Sequence, residues 1–519
     1  MRIFFTLLLI FAGNILSAQP ATWKIDYSIP GSYYNANAHC PLFDGGFAHF
    51  SSFSPPPYTT TETQLLKTDA AGQADWTTSW SIPVAGYVFG TKVLQLPDSG
   101  FVFAETVYQP TAATYTREIT RVNAAGTPLW SKGFESGINT INITVAYATD
   151  ITASADGGFV ISGDAIDTTT FMHYYHLLKV DAAGNLLWSE LYNYSMGKSY
   201  HRSLDKCLNE DILITGEWLD TIQSTGYYPV LTRVDQNGNF LWSKRFFNPA
   251  ETIQTSQGIV TTDGGFLITG TRYDPQTLLG EPFLVKTDSM GLISWIKTYR
   301  VPGQHAVGAK VRQNSDGGYL LSGDTDTLAF LMRLDATGQH LWTKCYPGIH
   351  FADLQLLNDG YSLAGSNIMT QDLVHIKTDT NGVTLCGESM LAIVPGSFTL
   401  VSFTASPYGP LPLINQNTGA PVKNTDPPVN IICSTVGQQE IEIRETINIY
   451  PVPAGDYLVI ESAETINNIG LYNLAGQLLL KDNSGDKKII LPLSNLPPGM
   501  YVIRLQTGSG SFCRKVAVN

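Results

Sequence analysis

Aromatic and histidine residues in the segments between predicted strands are the side chains best suited to ligand chemistry. Tyrosine and tryptophan rings with Asp, Asn and Thr beside them are typical of surfaces that hold carbohydrate or peptide. Alternatively, the same rings pack the loops against one another. The candidate ligand-binding residues are Tyr108, Tyr174, Tyr175, His201, Trp218, Tyr227, Tyr228, Tyr273, His305 and His350.

Acid–base catalysis is a second chemistry that the same segments could support. The candidates in predicted loops or inner strands are His201, His350, Asp205, Asp324, Asp326 and Asp353. Cleavage of a glycosidic bond by such groups requires two acidic or histidine side chains that face each other within about 10 Å. The chain contains no Gly-x-Ser-x-Gly, His-Glu-x-x-His or glycine-rich phosphate motif. Catalytic residues therefore stay unassigned, and an enzyme is the weaker alternative.

A short pattern that recurs seven times must position these segments. It consists of an Asp or Asn, a Gly three residues later and a Trp four residues after the Gly, as in Asp181, Gly184 and Trp188. Its interval of roughly 50 residues is that of a propeller blade. The turn glycines are Gly72, Gly126, Gly184, Gly238, Gly291, Gly338 and Gly382. The following positions are Trp76, Trp130, Trp188, Trp242, Trp295 and Trp342, with Cys386 in the last copy.

A second signature, Asp-Gly-Gly-Phe or a close variant, precedes each of these turns, as at Asp156–Phe159. Two hairpin turns in each unit give four strands, which we label A to D from hub to rim. The sequence therefore predicts an all-β, seven-bladed β-propeller over residues 19–390. The strand of Trp23 would close the ring, and each repeated Trp would pack between neighbouring blades. Eight blades are the alternative, if residues 390–435 supply further strands.

The two sides of this propeller differ in their connections. The tight A–B and C–D turns share one face, because consecutive strands are antiparallel. The longer B–C and D–A connections share the other face and carry the candidate ligand-binding residues. Loops on a rigid scaffold are where binding residues concentrate.

No metal site and no cofactor are expected. The turn Asp residues can bond to backbone amides of their own turns, and these turns lack the alternating oxygen ligands of a calcium loop. The cysteines have no metal-ligand spacing. They are Cys40, Cys207, Cys345, Cys386, Cys433 and Cys513. Cys386 and Cys433 bracket a Pro-rich segment and are the best candidates for a disulfide.

Residues 1–18 have a basic start, an apolar run and a small-residue end, which is typical of a secretory signal peptide. Residues 391–446 are rich in Pro and predict a cap or linker. The net charge of −13 and the scarcity of Lys and Arg clusters argue against a nucleic-acid partner. No later run is long enough to span a membrane, so the mature protein is expected to be exported and to lack a transmembrane span.

Residues 447–519 contain short alternating strands broken by Gly, Asn and Pro, which predict a small β-sandwich. This unit resembles the C-terminal sorting domain of the type IX secretion system of Bacteroidota. The resemblance rests on Tyr450, Pro451, Pro453, Gly476, Gly499, Tyr501, Arg514 and Lys515. Val452 stands where the family usually has Asn. The resemblance implies the secretion machinery as a partner, removal of this domain, and a product in the extracellular space or on the outer-membrane surface.

Two weaker resemblances concern the repeat. The segment Asp-Ala-Ala-Gly-x-x-x-Trp is similar to the repeat of quinoprotein-type propellers, which implies their geometry but not their cofactor. Asp167–Thr169, Asp220–Ile222, Asp288–Met290 and Asp326–Leu328 resemble O-glycosylation acceptors of Bacteroidota.

The leading hypothesis is a secreted propeller that binds a glycan or protein through its loop face. The alternatives are a polysaccharide hydrolase or lyase and a display scaffold without ligand.

Overall fold

The computed structural model divides the chain into two compact units, residues 1–435 and 436–519. All regular structure in the described residues is β-strand. The described residues are 22–28, 33–55, 61–81, 87–109, 114–136, 143–192, 197–220, 226–248, 250–404, 413–417, 422–423, 429–434, 448–451, 454–462, 464–473, 478–482, 485–494, 496–507 and 511–518. The signal peptide expected at residues 1–18 lies outside them.

The first unit contains seven antiparallel sheets, each built around four strands, and is a β-propeller. A lone strand, β1 (Trp23–Tyr27), precedes them. Blades 1 to 3 are β2–β5 (Tyr33–Pro41, Phe47–Ser54, Glu62–Thr68, Ala74–Ser81), β6–β9 (Tyr87–Gln95, Phe101–Gln109, Thr114–Val122, Pro128–Ser136) and β10–β13 (Ile143–Ala153, Phe159–Asp167, His173–Val180, Leu186–Tyr192). Blades 4 and 5 are β14–β17 (Gly197–Lys206, Ile212–Asp220, Tyr227–Val234, Phe240–Phe247) and β18–β21 (Thr252–Val260, Phe266–Tyr273, Gly280–Thr287, Ile293–Arg300). Blade 6 is β22–β25 (Ala306–Gln313, Tyr319–Thr325, Leu328–Leu334, His340–Pro347). Blade 7 begins with β26–β28 (Ile349–Leu356, Tyr361–Asn367, Leu373–Thr378).

The ring closes between the two ends of the propeller sequence. Each inner strand contacts the inner strand of the next blade, and β26 of blade 7 contacts β2 of blade 1. β1 pairs antiparallel with β28, in a register that runs from Trp23 opposite Lys377 to Tyr27 opposite Leu373. The strand of Trp23 is therefore the fourth strand of blade 7, and its pairing with β28 closes the ring.

Tryptophan rings fill the space between neighbouring blades at the rim. A methyl group added to turn Gly338 of blade 6 would meet Cη2 of Trp295 of blade 5 at 2.9 Å. The same relation holds at every blade boundary, from Trp23 against Gly72 to Trp342 against Gly382. The turn Gly has positive φ in each case and also lacks the side chain that would displace the ring.

The acidic residues of the repeat stabilise turns. In each C–D turn, a carboxylate or amide oxygen such as Asp181 Oδ1 accepts the N–H groups two and four residues ahead. In each A–B turn, an Asp forms an ion pair with a Lys or Arg of strand C. The pairs are Asp44–Lys67, Asp98–Arg121, Asp156–Lys179, Asp211–Arg233, Asp263–Lys286, Asp316–Arg333 and Asp359–Lys377. These contacts give the turn Asp residues a structural role without a metal ion.

Side chains at the hub join adjacent blades to each other's backbone. Asp150 Oδ2 accepts the N–H of Leu204 at 2.9 Å, and Gln257 Oε1 accepts that of Val311 at 2.9 Å. Ser203 and Asp353 make the same contact with Gly258 and His39. A second row, formed by Asp164, Glu217 and Asp324, accepts the N–H groups of His201, Thr255 and Phe351. These bonds fix the register between blades.

Residues 389–434 supply six short outer strands, although residues 391–446 were predicted as a cap or linker. We call residues 389–434 the belt. Its strands β29–β34 (Ser389–Met390, Val394–Gly396, Val401–Thr404, Leu413–Asn417, Val422–Lys423, Val429–Ser434) pair antiparallel with the outermost strands of blades 6, 5, 4, 2, 1 and 7, in that order. Phe398 and Leu400 also pack into the core between blades 4 and 5. The belt therefore follows the rim backwards and forms no eighth blade in the described residues.

Cys386 is disulfide-bonded, whereas Cys40, Cys207 and Cys345 are free thiols. The backbone of Cys433 lies opposite Lys24 in β1. Thr22, the residue before β1, donates a hydrogen bond to the carbonyl of Thr384 at 3.2 Å. The last strand of the belt therefore lies next to β1, as does Thr384, which precedes the belt. The side chains of Cys433 and Cys513 lie outside the described residues, so the pairing of Cys386 with Cys433 stays a prediction.

The second unit is a small two-sheet domain with its own core. Its strands β35–β41 are Asn448–Tyr450, Tyr457–Glu461, Ile466–Asn473, Leu478–Asp482, Lys488–Pro492, Gly499–Thr507 and Ser511–Val518. The sheets have the orders β35-β36-β39 and β38-β37-β40-β41. Buried residues such as Leu458, Ile469 and Ile503 fill the space between them.

Replacement of a turn Gly tests the contact between blades. Gly338→Ala should destabilise the propeller more than Gly264→Ala, by about 1–3 kcal/mol of unfolding free energy, because its methyl group would displace Trp295. Gly264 is a matched control, because its φ of 78° is close to the 76° of Gly338 but nothing lies within 4 Å of an added methyl. Urea unfolding of both variants measures the difference. Equal losses would contradict the packing role of Trp295.

Candidate functional site

Five of the ten candidate ligand-binding residues are buried and cannot contact a ligand at the surface. The interpretation of these five as exposed loop residues was wrong, because they are buried in strands β12, β14, β15 and β16. Their exposed fractions are between 0% and 6%. They are Tyr174, Tyr175, His201, Trp218 and Tyr228.

These residues are buried because both faces of their strands pack against neighbouring blades. Successive side chains point to opposite faces, and each face lies in a core. Tyr175, Trp218 and Tyr228 belong to the core between blades 3 and 4. The Tyr175 hydroxyl donates to the carbonyl of Glu217 at 3.0 Å, and the guanidinium of Arg245 lies 4.4 Å from the Trp218 ring centroid. Aromatic residues near strand ends therefore extend the blade core rather than the loop surface.

The other five candidates, Tyr108, Tyr227, Tyr273, His305 and His350, are at least partly exposed. Four of these candidates also lie at or near strand ends rather than in loops, namely Tyr108, Tyr227, Tyr273 and His350. Tyr273 stacks on His305 with ring centroids 5.9 Å apart, and Tyr108 lies 4.7 Å from Tyr115. The connections near them are less variable than expected. The B–C loops that start at Asp167, Asp274 and Asn367 share one conformation, in which the fifth residue has a φ of 55–58° and donates to the carbonyl of the first.

Three partly exposed aromatic rings lie together on the loop face where blades 3 and 4 meet, and we refer to this place as the groove. Tyr200 of β14 lies between His173 at the start of β12 and Tyr227 at the start of β16. The ring centroids are 4.6 Å and 5.8 Å from that of Tyr200. We call these three residues the aromatic triad. Of its members, sequence analysis had selected only Tyr227. Nothing in the sequence marked Tyr200 as a binding residue except that it is an aromatic residue in a D–A connection.

A charged network lies beside the aromatic triad. Arg202 donates from Nε to Oε2 of the buried Glu217 at 3.1 Å, while its side chain remains 41% exposed. Burial raises the pKa of Glu217, although Arg202 opposes the shift. Burial also raises the pKa of Asp164 to about 7, against the opposing effect of the His201 N–H. The groove therefore presents one held guanidinium next to aromatic faces.

The hydrolase hypothesis required two facing ionisable groups, and one such pair lies between blades 6 and 7. His350 Nδ1 is 3.7 Å from Asp324 Oδ1, and His350 is exposed. Burial raises the pKa of Asp324 to about 6, against the Phe351 N–H and the charge of His350. The other catalytic candidates are not assembled around this pair. Asp205 and Asp353 bond to backbone N–H groups of neighbouring blades, and His201 is buried.

The turn face also carries a cleft between blades 3 and 4. Its ionisable lining groups are already paired with each other, since Lys179 contacts Asp156 at 2.6 Å and Lys206 contacts Glu210 at 3.0 Å. Within the described ranges, no group of three His, Cys, Asp or Glu residues has the spacing to hold a metal ion. No helix in the same ranges is long and apolar enough to cross a membrane.

The sorting-signal residues lie in the second unit. Tyr450 is 42% exposed on β35, and Gly499 begins β40. Tyr501 is buried and donates its hydroxyl to the carbonyl of Pro497 at 2.6 Å. Pro453, Gly476 and the side chains of Arg514 and Lys515 lie outside the described residues.

Residues 448–519 match the family described as the secretion system C-terminal sorting domain. This unit is a type IX sorting domain. The protein is therefore exported to the cell surface or the extracellular space, and its sorting domain is handled by the type IX secretion machinery. No curated protein sequence matches the chain.

Solved structures similar to this chain include several propellers. The β-propeller domain of the Trilobed protease from Pyrococcus furiosus is 9% identical with a TM-score of 0.41, covering 69% of this chain and 95% of that one. PorZ, a surface component of the type IX secretion system of Porphyromonas gingivalis, is 8% identical with a TM-score of 0.17, covering 96% and 100%. The dihydro-heme d1 dehydrogenase NirN is 13% identical with a TM-score of 0.30, covering 63% and 73%.

Burial predicts that Trp218 contributes to stability, whereas Tyr227 does not. Trp218→Ala should lower the unfolding free energy by about 3–5 kcal/mol, because it leaves a cavity beneath Arg245. Tyr227→Ala, a change at a partly exposed position of the same blade, should cost about 0.5 kcal/mol. Denaturant unfolding monitored by circular dichroism measures both. A small loss for Trp218→Ala would show that the ring does not support the core.

Proposed function

We propose that this protein is an exported glycan-binding protein whose propeller holds its ligand in the groove between blades 3 and 4. The observation that supports this proposal is the aromatic triad with Arg202 beside it. Partly exposed Tyr faces pack against the C–H faces of sugar rings. A guanidinium held by a buried carboxylate donates hydrogen bonds to sugar hydroxyls at little cost in side-chain entropy.

The position of the groove also favours this function. The triad comes from three different strands, from the first residues of β12 and β16 and the fourth residue of β14, so the blade scaffold sets its spacing. Tyr273 and His305 form another exposed aromatic pair, but a bound sugar would there meet only two rings. The groove between blades 3 and 4 offers the larger aromatic surface.

We infer that export occurs in two steps. Removal of residues 1–18 would release the chain into the periplasm, and removal of residues 447–519 would follow passage across the outer membrane. The sorting domain, matched over 448–519, supports this order. The product would be the propeller with its belt, released or attached to the cell surface.

Substitution of the triad tests the binding proposal. Tyr200→Ala and Tyr227→Ala should each weaken glycan binding at least about tenfold, the effect of losing one or more stacking contacts. Binding of the intact chain to a glycan array, followed by titration of the strongest ligand, measures the loss. Tyr273→Ala is the matched control and should bind normally. Unchanged binding in both triad variants, or capture of proteins but no glycan, would contradict the proposal.

The pair Asp324–His350 supports a second candidate, a polysaccharide hydrolase or lyase. A carboxyl group with a raised pKa beside an exposed imidazole can act in proton transfer. The protein would then release new chain ends from a polysaccharide, and Asp324→Asn should slow this about 100-fold. Quantification of reducing ends checks the result, with His305→Asn as a control at an exposed His. A protein that releases no chain ends at any pH between 5 and 8 is not such an enzyme.

A further inference from the structure

Three imidazole rings are buried together where the ring closes. His39 and His49 belong to blade 1, and His375 belongs to blade 7. Each is at most 1% exposed. The ring centroid of His49 lies 4.4 Å from that of His375 and 5.9 Å from that of His39, while His39 and His375 are 5.3 Å apart. We call these three residues the histidine cluster.

A chain of hydrogen-bonding groups runs through the cluster from one blade to the other. Ser362 Oγ lies 2.8 Å from His39 Nε2 and 2.7 Å from His375 Nε2. His39 Nδ1 lies 3.4 Å from Asp353 Oδ2, which favours a proton on Nδ1. His39 Nε2 then accepts from Ser362, and Ser362 accepts from the Nε2–H of His375. Ser362 therefore links the imidazoles of the two blades through one hydrogen bond to each.

A positive charge on this cluster would have few acceptors. His375 Nδ1 and both nitrogens of His49 have no hydrogen-bond partner in the described residues. Side chains on the adjoining strands of blade 1 also have buried polar atoms without a partner, namely Ser51 Oγ, Glu62 Oε2, Gln64 Nε2 and Oε1, and Thr77 Oγ1. A proton on His49 or His375 would therefore bring a buried, unpaired charge to the boundary between the blades.

The charged and titratable groups around the cluster do not compensate such a charge. From blade 7, Asp353 faces His39, but it also contacts Arg312 of blade 6 at 3.3 Å. Lys377, which adds positive charge near His375, is paired with Asp359 at 2.9 Å. From blade 1, Glu62 lies on β4 beyond Gln64. From β1, Tyr27 packs on His49 and donates its hydroxyl to the carbonyl of Gly72. The remaining group, Lys310, lies in blade 6 near Asp353.

The cluster lies beside the place where the ring is closed by strand pairing. In blades 1 to 6 a turn connects the third strand to the fourth, whereas in blade 7 the third strand, β28, and the fourth, β1, come from opposite ends of the propeller sequence. At blade 7, the last strand is β1, which is held to β28 by five paired residues, and His375 is opposite Ile25 in that register. Trp23 of β1 also packs edge-on against His375, with centroids 4.5 Å apart. Displacement of His375 would therefore loosen the contact that closes the ring.

We propose that the pairing of β28 with β1 in blade 7 is an acid-sensitive seam, and that protonation of His375 and of His49, which packs against it from blade 1, separates β28 from β1 and opens the propeller. Burial, together with the charges of the neighbouring imidazoles, lowers the pKa of both groups well below the ordinary value. In the open state both would take up protons below about pH 6.5. The closed form is therefore favoured at pH 7. As the pH falls below about 6.5, the equilibrium constant for opening rises about tenfold per pH unit for each of the two groups.

Hydrogen exchange of the full chain between pH 7.5 and 5 tests the seam. After correction for the intrinsic effect of pH on exchange, peptides from β1, β3 and β28 should lose protection by about 100-fold per pH unit below pH 6.5. Peptides from β19 and β20 of blade 5 should keep theirs. Equal loss of protection in all blades, or no change at the seam, would overturn the proposal.

Replacement of the histidines separates the seam from general acid unfolding. The variant His49→Gln with His375→Gln should remove the dependence of seam exchange on pH, because Gln is polar but takes up no proton in this range. His201→Gln is the matched control, since His201 is equally buried but belongs to blade 4, and burial lowers its pKa to about 3. Wild-type pH dependence in the double variant would contradict the assignment. If that variant does not fold, the exchange profile of the wild-type chain decides alone.

Discussion

The packing of a Trp from one blade against the turn Gly of the next is the contact on which the ring depends. It occurs at all seven boundaries and sets the distance between blades at the rim. At the hub, the carboxylate, amide and hydroxyl groups that accept backbone N–H groups set the register. The absence of a Trp in the seventh copy, where Cys386 stands, now has a reason. Trp23 of β1 already fills the boundary between blades 7 and 1, against Gly72.

The periodic features of the fold could be predicted from sequence, because each is a local requirement. A Gly with positive φ, an Asp that caps a turn and a half-buried Trp recur wherever the backbone geometry recurs. The β-propeller and the C-terminal sorting domain were confirmed. The belt could not be predicted in the same way. Its strands are short and Pro-rich, a composition typical of linkers, and their pairing depends on a rim that exists only after the blades have formed.

The candidate site was predicted less well for a physical reason. Tyr175, Trp218 and Tyr228 stand next to polar, loop-like segments, and sequence alone does not show where a strand ends. An aromatic residue one position inside the strand faces the core, whereas one at its first position can remain accessible, as Tyr227 does. The hub contacts were hidden for another reason. Asp150, Ser203 and Gln257 do the same work with different side chains, so no residue type repeats.

The residue at a bulge in the inner strand distinguishes blade 4 within a repeating scaffold. In each blade the inner strand has a register shift near its middle, and in blade 4 the extra residue is Arg202. A bulged residue leaves the alternating pattern, so its side chain is released from the packing between blades. The equivalent residues of blades 5, 6 and 7 are Ser256, Ala309 and Ala352, which are small and uncharged. Ser256 donates its hydroxyl to the carbonyl of Gly308 and so supports the scaffold. Arg202 instead keeps a partly exposed guanidinium that is paired with Glu217, which sets blade 4 apart from blades 5, 6 and 7.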